Sequence, residues 1–404
     1  MQKQDVAALY DWLVNQGLSG LEEGSLLTTF CQRCIDAGVP LSRGIIFIDT
    51  LHPVWEGRAF RWRNDGIEES TVFEYGRSDR GEAEASWRRS VFFAMEESGA
   101  RDLRRRLSPT EKLGFPGLEQ LRDQGNTDYL ALRYPFSAAG TLGGMDCAYG
   151  QFMSRAPGGF TDEQVYALQR LFTPLALAVK CGALARVAGT LTQVYLGRDP
   201  SQRVLDGRIR RGVPERLDAV LWFSDLRGYT TITDQAPPEE VMPLLNDYAD
   251  VVITAIHEAG GDVLKLMGDG TLAIFPAANR AQACCAALAA EADLRQRLRA
   301  LKERRKAAGQ PVTTVYLGLH VGEVIYGNIG SEERLDFTVV GAAVNEVSRI
   351  ATLCRSVDRH LLISEAFAEA TPPDRRSRLV SVGRYALRGV GRAQDLYTLD
   401  PALL

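Results

Sequence analysis

The alternation of apolar and polar positions separates an amino-terminal half that mixes helix and strand from a carboxyl-terminal half with a sharper pattern. Residues 1–20 predict a short leading helix. Further helices are predicted at residues 21–37 and 83–106 and from residue 160 onward, where Thr161 and Gln164 have the spacing of a capping box. Runs of β-branched and aromatic residues predict strands at 44–50, 59–63, 71–76, 129–136 and 145–154.

A heptad pattern follows the last of these helices. Leu177, Leu184 and Leu191 recur every seven residues, and Val187 and Val194 occupy the intermediate seam. About three heptads are the shortest repeat that supports a coiled coil. The pattern therefore favours a parallel dimer stalk, with a helix packed on its own domain as the alternative. The link at residues 195–218 then breaks the helix with Gly and Pro.

From residue 219 onward, apolar strands alternate with helices. The predicted strands are residues 219–223, 262–267, 271–275, 315–330, 336–341, 360–364 and 384–389. The predicted helices are residues 238–259, 278–307 and 342–353. This alternation predicts an α/β or α+β domain of about 180 residues.

Composition narrows the class of protein. The chain has 404 residues, which predicts two or three domains. It carries 47 Lys and Arg against 51 Asp and Glu, a net charge of −4, which argues against a nucleic-acid binder. We expect no stretch long and apolar enough to span a bilayer, and the start has no signal-peptide core. Seven cysteines, an odd number in a long chain, fit a reduced cytoplasmic protein.

Two short motifs in the first half have structural explanations. Cys31 and Cys34 form a CxxC motif, which is either redox-active or two thiols about one turn apart in a partly buried helix. We favour the second explanation. The basic run at residues 104–106 is expected to be the solvated end of the helix at 83–106.

Two carboxylates stand out in the second half. Asp225 ends an apolar strand, and Asp269 lies at a hairpin tip. Carboxylates at the ends of two neighbouring strands can hold two divalent ions, and Mg²⁺ prefers one or two carboxylates together with substrate phosphates. Gly228 and the residues before it would let backbone N–H groups approach a triphosphate. The alternative for either aspartate alone is a turn residue.

Three segments around these residues resemble, in order, the catalytic domain of class III adenylyl cyclases. They are FSDLRGYT at 223–230, GGDVLKLMGDG at 260–270 and DFTVVGAAVNEVSR at 336–349. The resemblance covers about residues 215–400. It implies an α+β, ferredoxin-like βαββαβ catalytic domain at 217–400 that converts ATP to cyclic AMP and pyrophosphate. It also implies a head-to-tail homodimer with the active sites at its interface.

The resemblance assigns metal and base contacts. Asp225 and Asp269 would bind two Mg²⁺ (or Mn²⁺) per active site. Lys265 would recognise the adenine ring, and Thr338 occupies its partner position. A lysine donates to adenine N1 and the hydroxyl accepts from the 6-amino group, whereas guanine presents a carbonyl and an N–H there. The Thr variant resembles a branch of the family that bicarbonate often stimulates.

The same resemblance assigns the remaining site residues. Asn345 and Arg349 would orient the ribose and stabilise the transition state, where arginine supplies a fixed fork of donors that lysine would not reproduce. In the dimer, the two aspartates would come from one chain and the base, ribose and phosphate contacts from the other. Further substrate contacts are expected from Phe223, Gly228, Tyr229, Thr230 and Arg388. The match at Arg388 is loose, and a surface arginine is the alternative.

Other functions remain alternatives for this half. One is a non-catalytic, nucleotide-binding regulator with a cyclase fold, and another is a guanylyl cyclase. Residues 260–264 also resemble the GG(D/E)EF motif of diguanylate cyclases, but the Glu-Phe pair is missing. The complete set of aspartate, lysine, asparagine and arginine favours an adenylyl cyclase.

The first half resembles a GAF-like sensory domain, through its element order and the segment at 157–180. This implies a GAF-like α/β sensory or regulatory domain at 1–180, binding a small-molecule effector or serving for dimerisation, and a helical linker and transducer at 181–216. His52 could ligate a metal or haem and Cys147 could hold a chromophore, but a loop histidine and a core cysteine are favoured. Aromatic residues that could line a pocket, but are more typical of a core, are Trp55, Phe60, Trp62, Tyr75, Trp87 and Tyr134.

Overall fold

The computed structural model of the chain describes residues 1–65, 72–110, 112–136, 141–210 and 215–400. It divides into two compact units, Met1–Leu191 and Thr192–Leu404. Two sequence predictions extend outside the described residues: the first residue of the strand at 71–76, and residues 211–214 of the link at 195–218.

The first unit is built on one antiparallel sheet. Its helices are α1 (Lys3–Ser19), α2 (Glu23–Asp36), α3 (Gly81–Arg88), α4 (Val91–Ser98), α5 (Pro116–Asp123) and α6 (Asp162–Leu196), the last of which continues past the boundary of the unit. Its strands are β1 (Leu41–Asp49), β2 (Gly57–Arg63), β3 (Val72–Tyr75), β4 (Asp102–Arg106), β5 (Asp128–Pro135) and β6 (Cys147–Ser154). The strands lie in the order β3-β2-β1-β6-β5-β4.

The two faces of this sheet differ because side chains alternate along each strand. One face, which includes Ile46, Ile48 and Phe152, packs with residues of α1, α2 and α6 into a large apolar core. On the other face, Tyr149 and Met153 pack with residues of α4 and α5 in a separate cluster. Phe60, Trp62 and Tyr134 belong to the first core, as the core explanation of these aromatics predicts.

The predicted helix at 83–106 is wrong. Two short helices and a strand replace it, because Ser90 begins a new helix and Gly99 ends it. The Ser90 hydroxyl accepts from the Phe93 N–H at 3.1 Å, and Gly99 adopts φ 69°, the left-handed conformation that terminates helices. Residues 102–106 then form β4, which pairs with β5.

The basic run in β4 is therefore not a solvated helix end. Arg104 Nη2 lies 2.9 Å and Arg106 Nη1 3.2 Å from Oδ2 of Asp128, whose side chain is fully buried. The same oxygen accepts from the Phe160 N–H at 2.9 Å. A buried carboxylate needs such partners, and here they connect β4 and β5 to the segment that precedes α6.

Helix α6 begins with the predicted capping box. The Thr161 N–H donates to Gln164 Oε1 at 2.8 Å, and the Gln164 N–H donates to the Thr161 hydroxyl at 3.2 Å. Val187 is buried, while Leu177 and Val194 are 54% and 52% exposed. As far as Arg186, which hydrogen-bonds Glu23, the helix packs on its own unit, which is the alternative considered from the sequence. The dimer stalk stays a prediction.

By length and composition, α6 could cross a membrane, so the expectation that no stretch meets this test is wrong. Half of its most apolar window is buried inside the structure. A core helix passes the same test, so this is weak support for a membrane span.

The second unit mixes helices with a larger sheet. Its helices are α7 (Arg198–Leu205), α8 (Tyr229–Gln235), α9 (Pro238–Glu258), α10 (Arg280–Ala307), α11 (Ala342–Val357), α12 (Glu365–Ala370) and α13 (Pro373–Arg376). Its strands are β7 (Glu215–Leu226), β8 (Asp262–Met267), β9 (Gly270–Pro276), β10 (Val315–Gly330), β11 (Leu335–Val340), β12 (Leu361–Ser364), β13 (Leu379–Tyr385) and β14 (Gln394–Leu399).

The predicted βαββαβ arrangement is present as β7-α9-β8-β9-α10-β10. These four strands lie in the order β10-β7-β9-β8, with antiparallel neighbours. The sheet continues from β10 through β12 and β14 to β13, and β11 pairs with the far end of β10. The core around Trp222 and Phe275 lies between the sheet and helices α9 and α10. This order makes β7 an inner strand and β8 an edge strand.

The predicted strand at 384–389 is wrong for most of its length. β13 ends at Tyr385, and Arg388 and Gly389 lie in a turn, where Gly389 adopts φ 77°. Strand β14 and the short helices α5, α7, α8, α12 and α13 were not predicted from the sequence. The end of β13 is set by its pairing with β14, in which Tyr385 opposite Gln394 is the last pair, rather than by local propensity.

Candidate active site

The register of three strands brings Asp225 and Asp269 together. Strand β7 pairs with β9 so that Ser224 lies opposite Thr271. Met267 pairs with Gly270 across the β8–β9 hairpin, which leaves Gly268 and Asp269 as a two-residue loop. Gly268 adopts φ 64°, as a tight hairpin turn of this length requires. One residue past Ser224, the Asp225 carboxyl therefore lies within hydrogen-bond reach of the Asp269 carboxyl.

The two carboxyls repel each other when both are ionised. Burial raises the pKa of Asp225 to about 7, and the hydrogen bond with Asp269 and the charge of Asp269 add to this effect. The Leu226 N–H donates to Asp225 Oδ1 at 3.0 Å and partly offsets it. Both side chains line a cavity of about 200 Å³. A divalent cation placed there would remove the repulsion.

The donor set at this cavity suits magnesium that keeps water and phosphate ligands. Among the described residues, no group of three or more His, Cys, Asp or Glu side chains is arranged to hold a metal ion. Asp225 and Asp269 would be the protein's share of such a site. Mg²⁺ is usually bound in this way, through one or two carboxylates together with substrate phosphates.

The segment after Asp225 turns sharply away from the strand. Gly228 adopts φ 69° and precedes α8, whose first residues are Tyr229 and Thr230. Phe223 lies half-buried on β7, two residues before Asp225. The predicted phosphate-contacting segment is thus an exposed turn and the beginning of a short helix beside the carboxylate pair.

Lys265 lies on edge strand β8 and forms an ion pair with Asp336 of β11. Thr338 follows two residues later on β11, so its side chain projects from the same face as Asp336. Thr338 was the predicted partner of the lysine, and the sequence analysis missed Asp336. The two-residue period of β11 is the signal that could have found it.

Asn345 and Arg349 lie one turn apart on the exposed face of α11. Arg388 is exposed in the turn after β13. Among the described residues, those that line the carboxylate cavity do not include Asn345, Arg349 or Lys265. The structure thus brings the two predicted metal ligands together in one cavity, and the predicted base, ribose and phosphate contacts lie outside its described lining.

Other candidates in the first unit have structural roles. His52 Nδ1 accepts from the N–H groups of Val54 and Trp55 at 3.1 and 3.2 Å, so it closes a loop. Burial raises the pKa of Cys147 to about 12 in the core. Cys31 and Cys34 are fully buried, which raises the pKa of both thiols and argues against the redox explanation.

Comparison with known proteins identifies the class of the second unit. Residues 214–400 match the family described as adenylate and guanylate cyclase catalytic domain. An adenylate cyclase of Anabaena cylindrica is 36% identical over 162 residues, which are 39% of this chain and 32% of that protein. Adenylate cyclase 1 of Rhizobium meliloti is 28% identical over 187 residues, 45% of this chain and 27% of that protein. The crystal structure of the guanylyl cyclase Cya2 is 29% identical with a TM-score of 0.41, covering 46% of this chain and 93% of that one.

Residues 214–400 thus match the catalytic domain of adenylate and guanylate cyclases and have a mixed α/β fold, in agreement with the resemblance found in the sequence. The chain spans about a third or less of the length of these curated relatives.

Proposed function

We propose that the protein is an adenylyl cyclase that converts ATP to 3′,5′-cyclic AMP and pyrophosphate. The observation that carries the proposal is the Asp225–Asp269 pair, two carboxylates held at hydrogen-bond reach in a cavity of a cyclase domain. In the reaction the ribose 3′-oxygen forms a bond to the α-phosphorus while the bond to pyrophosphate breaks. Two bound Mg²⁺ or Mn²⁺ ions would stabilise charge on the attacking and leaving oxygens.

The remaining chemistry is positioning and charge stabilisation by the chain's own residues. Arg349 supplies paired donors to the phosphate, and Asn345, one turn before it, orients the ribose. Phe223, Gly228, Tyr229 and Thr230 border the triphosphate at the carboxylate end. Arg388 is exposed in its turn, so a surface role is the better assignment.

Selectivity for ATP follows from Lys265. Its ammonium group is a donor only, so it suits adenine N1, which accepts, and opposes the N1–H of guanine, which donates. Asp336 and Thr338 offer acceptors on the same strand for the 6-amino group of adenine. This supports ATP over GTP, with a guanylyl cyclase as the alternative.

A homodimer would combine the two groups of site residues. The Asp225–Asp269 pair of one chain would meet Lys265, Asn345 and Arg349 of the other, giving two complete sites. Exposed apolar residues on the second unit support such a contact; they are Met242, Leu266, Met267, Ile325, Ile329, Leu335 and Val340. Ile325 and Val340 are cross-strand neighbours, and Met242 and Leu266 line the same cavity. Exposed apolar patches mark interaction surfaces.

The first unit would regulate the second by shifting the population of competent dimers. Helix α6 connects the units in sequence, and α7 follows it directly. The N–H groups of Arg198 and Asp199, which begin α7, donate to Asp262 at 3.2 and 2.9 Å. Asp262 begins β8, three residues before Lys265, so a movement of α7 would reach the base-binding strand.

The direct test is turnover by the purified chain. With Mg²⁺ or Mn²⁺, ATP should yield cyclic AMP and pyrophosphate, and GTP should yield much less cyclic GMP. A preference for GTP would support the guanylyl cyclase instead. ATP binding without turnover under either metal would support a non-catalytic regulator.

A further inference from the structure

A cavity of about 910 Å³ lies in the first unit, between the sheet face opposite its large core and helices α3, α4 and α5. It is formed by alternate residues of β1, which include Ile45, Phe47 and Asp49, and by their cross-strand neighbours on β2 and β6. Its volume is that of a site for a small organic molecule.

The middle of the cavity is aromatic. Phe92 of α4 lies 5.5 Å from Phe47 and 4.9 Å from Tyr149 between ring centroids, and Trp87 of α3 lies 5.9 Å from Tyr149. These rings come from the sheet and from the helices that cover it. A flat aromatic molecule that lies against this group of rings would gain stacking and edge contacts with them.

One end of the cavity is basic. Arg61 of β2 lies opposite Ile45 and stacks its guanidinium on Phe73 at 4.8 Å. Its Nε is buried and has no hydrogen-bond partner among the described residues, and no described carboxylate forms an ion pair with it. A buried donor without a partner costs free energy, which an anionic ligand group would recover.

The other end is acidic. Asp49 is four residues from Ile45 on β1, a separation of about 13 Å at the rise of a strand. The Tyr75 hydroxyl donates to Asp49 Oδ1 at 2.7 Å, and Glu56 also lines this end. Burial raises the pKa of Asp49 to about 7, with the charge of Glu56 adding to it. This end favours a hydrogen-bond donor.

We infer that the cavity binds an aromatic molecule that carries an anionic group, placed at Arg61, and a hydrogen-bond donor such as an amine, placed at Asp49. The anionic group is a carboxylate or a phosphate, since both accept paired hydrogen bonds from a guanidinium. This inference does not rest on cyclase activity, because binding to the first unit is measured directly.

Calorimetric titration of the full chain tests it with two matched pairs of probes. 4-Aminohippurate and hippurate are both aromatic carboxylates, and only 4-aminohippurate carries an amine. AMP and adenosine share an aminopurine, and only AMP carries a phosphate. We expect at least one of 4-aminohippurate and AMP to bind, about tenfold or more tightly than its partner. Which one binds distinguishes carboxylate from phosphate.

Variants locate the binding. Arg61→Gln should weaken it about tenfold or more, whereas Arg61→Lys should retain part of it, because the charge remains. Lys265→Gln, which removes the proposed base contact, is the control for nucleotide bound in the second unit, and it should leave this binding unchanged. The inference is overturned if neither probe binds at millimolar concentration, or if binding is the same in a folded Arg61→Gln variant.

Discussion

An ion pair joins Lys265 of β8, the edge strand of the second unit's sheet, to Asp336 of β11, and Lys265 is the residue that we propose contacts the base. Asp336 holds the ammonium at β11, the strand that also carries Thr338, while the remaining N–H donors stay available to a ligand. The side chains are 41% and 45% exposed, so the pair contributes little to stability and acts mainly by orientation.

Asp336→Asn should therefore affect ATP binding more than chemistry. We expect KM for ATP to rise about two- to fivefold with kcat nearly unchanged, because the lysine loses a charged partner but stays on its strand. Steady-state kinetics with ATP check this. Glu369→Gln, which removes one exposed charge on α12, is the matched control and should leave both constants unchanged. A fall in kcat alone would assign Asp336 a different role.

Exchanging the base contacts should shift substrate preference. Lys265→Glu combined with Thr338→Ala replaces a donor with an acceptor that suits the N1–H of guanine. The ratio of GTP to ATP turnover should rise by about tenfold or more, even if total activity falls. Measurement of both cyclic products from one mixed-substrate reaction gives the ratio directly. An unchanged ratio would count against both adenine contacts.

Removing either carboxylate should abolish metal-dependent turnover. Asp225→Asn and Asp269→Asn should each lower kcat about 100- to 1000-fold, as loss of one group that stabilises transition-state charge commonly does. Addition of Mn²⁺ should raise Tm for the unmodified chain and much less for either variant. Retention of full activity by Asp225→Asn would exclude its metal role.

The buried acid in the first unit predicts a pH effect on stability. The pKa of Asp49 is about 7 in the folded chain and near 4 when unfolded, so the folded state holds the extra proton between these values. Its contribution to stability is full below about pH 4 and is lost as pH rises from about 4 to about 7, at a slope of about 1.4 kcal/mol per pH unit.

Asp49→Asn should reduce this slope in denaturant titrations between about pH 4 and pH 7. The amide retains an acceptor for the Tyr75 hydroxyl but does not titrate. The pKa values of the buried Glu291 and of Asp225 are also raised to about 7. Their contributions to the pH dependence of stability should therefore persist in the unmodified chain and in Asp49→Asn. Asp79→Asn on the exposed loop before α3 is the control. Equal slopes for Asp49→Asn and the unmodified chain would contradict the assignment.

The sequence predicted the second unit well because its elements are long and regularly patterned. The strand with Asp225 and the hairpin with Asp269 were located from local signals alone. Asp336 was missed because its importance comes from the approach of β11 to β8, strands about 70 residues apart in the chain. Helix 83–106 was mispredicted because Ser90 and Gly99 divide it and because β4 forms only through its pairing with β5.

The ligand-binding character of the cavity in the first unit could not be predicted from the sequence, for a different reason. Tyr75 and Trp87 were named as pocket candidates, and both line it. Arg61 was not, since an arginine in a strand is usually solvated. Its lack of a carboxylate partner among the described residues is a property of the folded sheet.

The central claim is that one active site needs two chains. Asp225→Asn and Arg349→Ala should each be nearly inactive alone, because each destroys both sites of a homodimer. When the two variant chains are co-purified as a mixture, half of the dimers are mixed and each of those has one intact site. We predict recovery of about a quarter of the unmodified activity. A mixture no more active than its separate components, with dimers verified to exchange, would contradict the account.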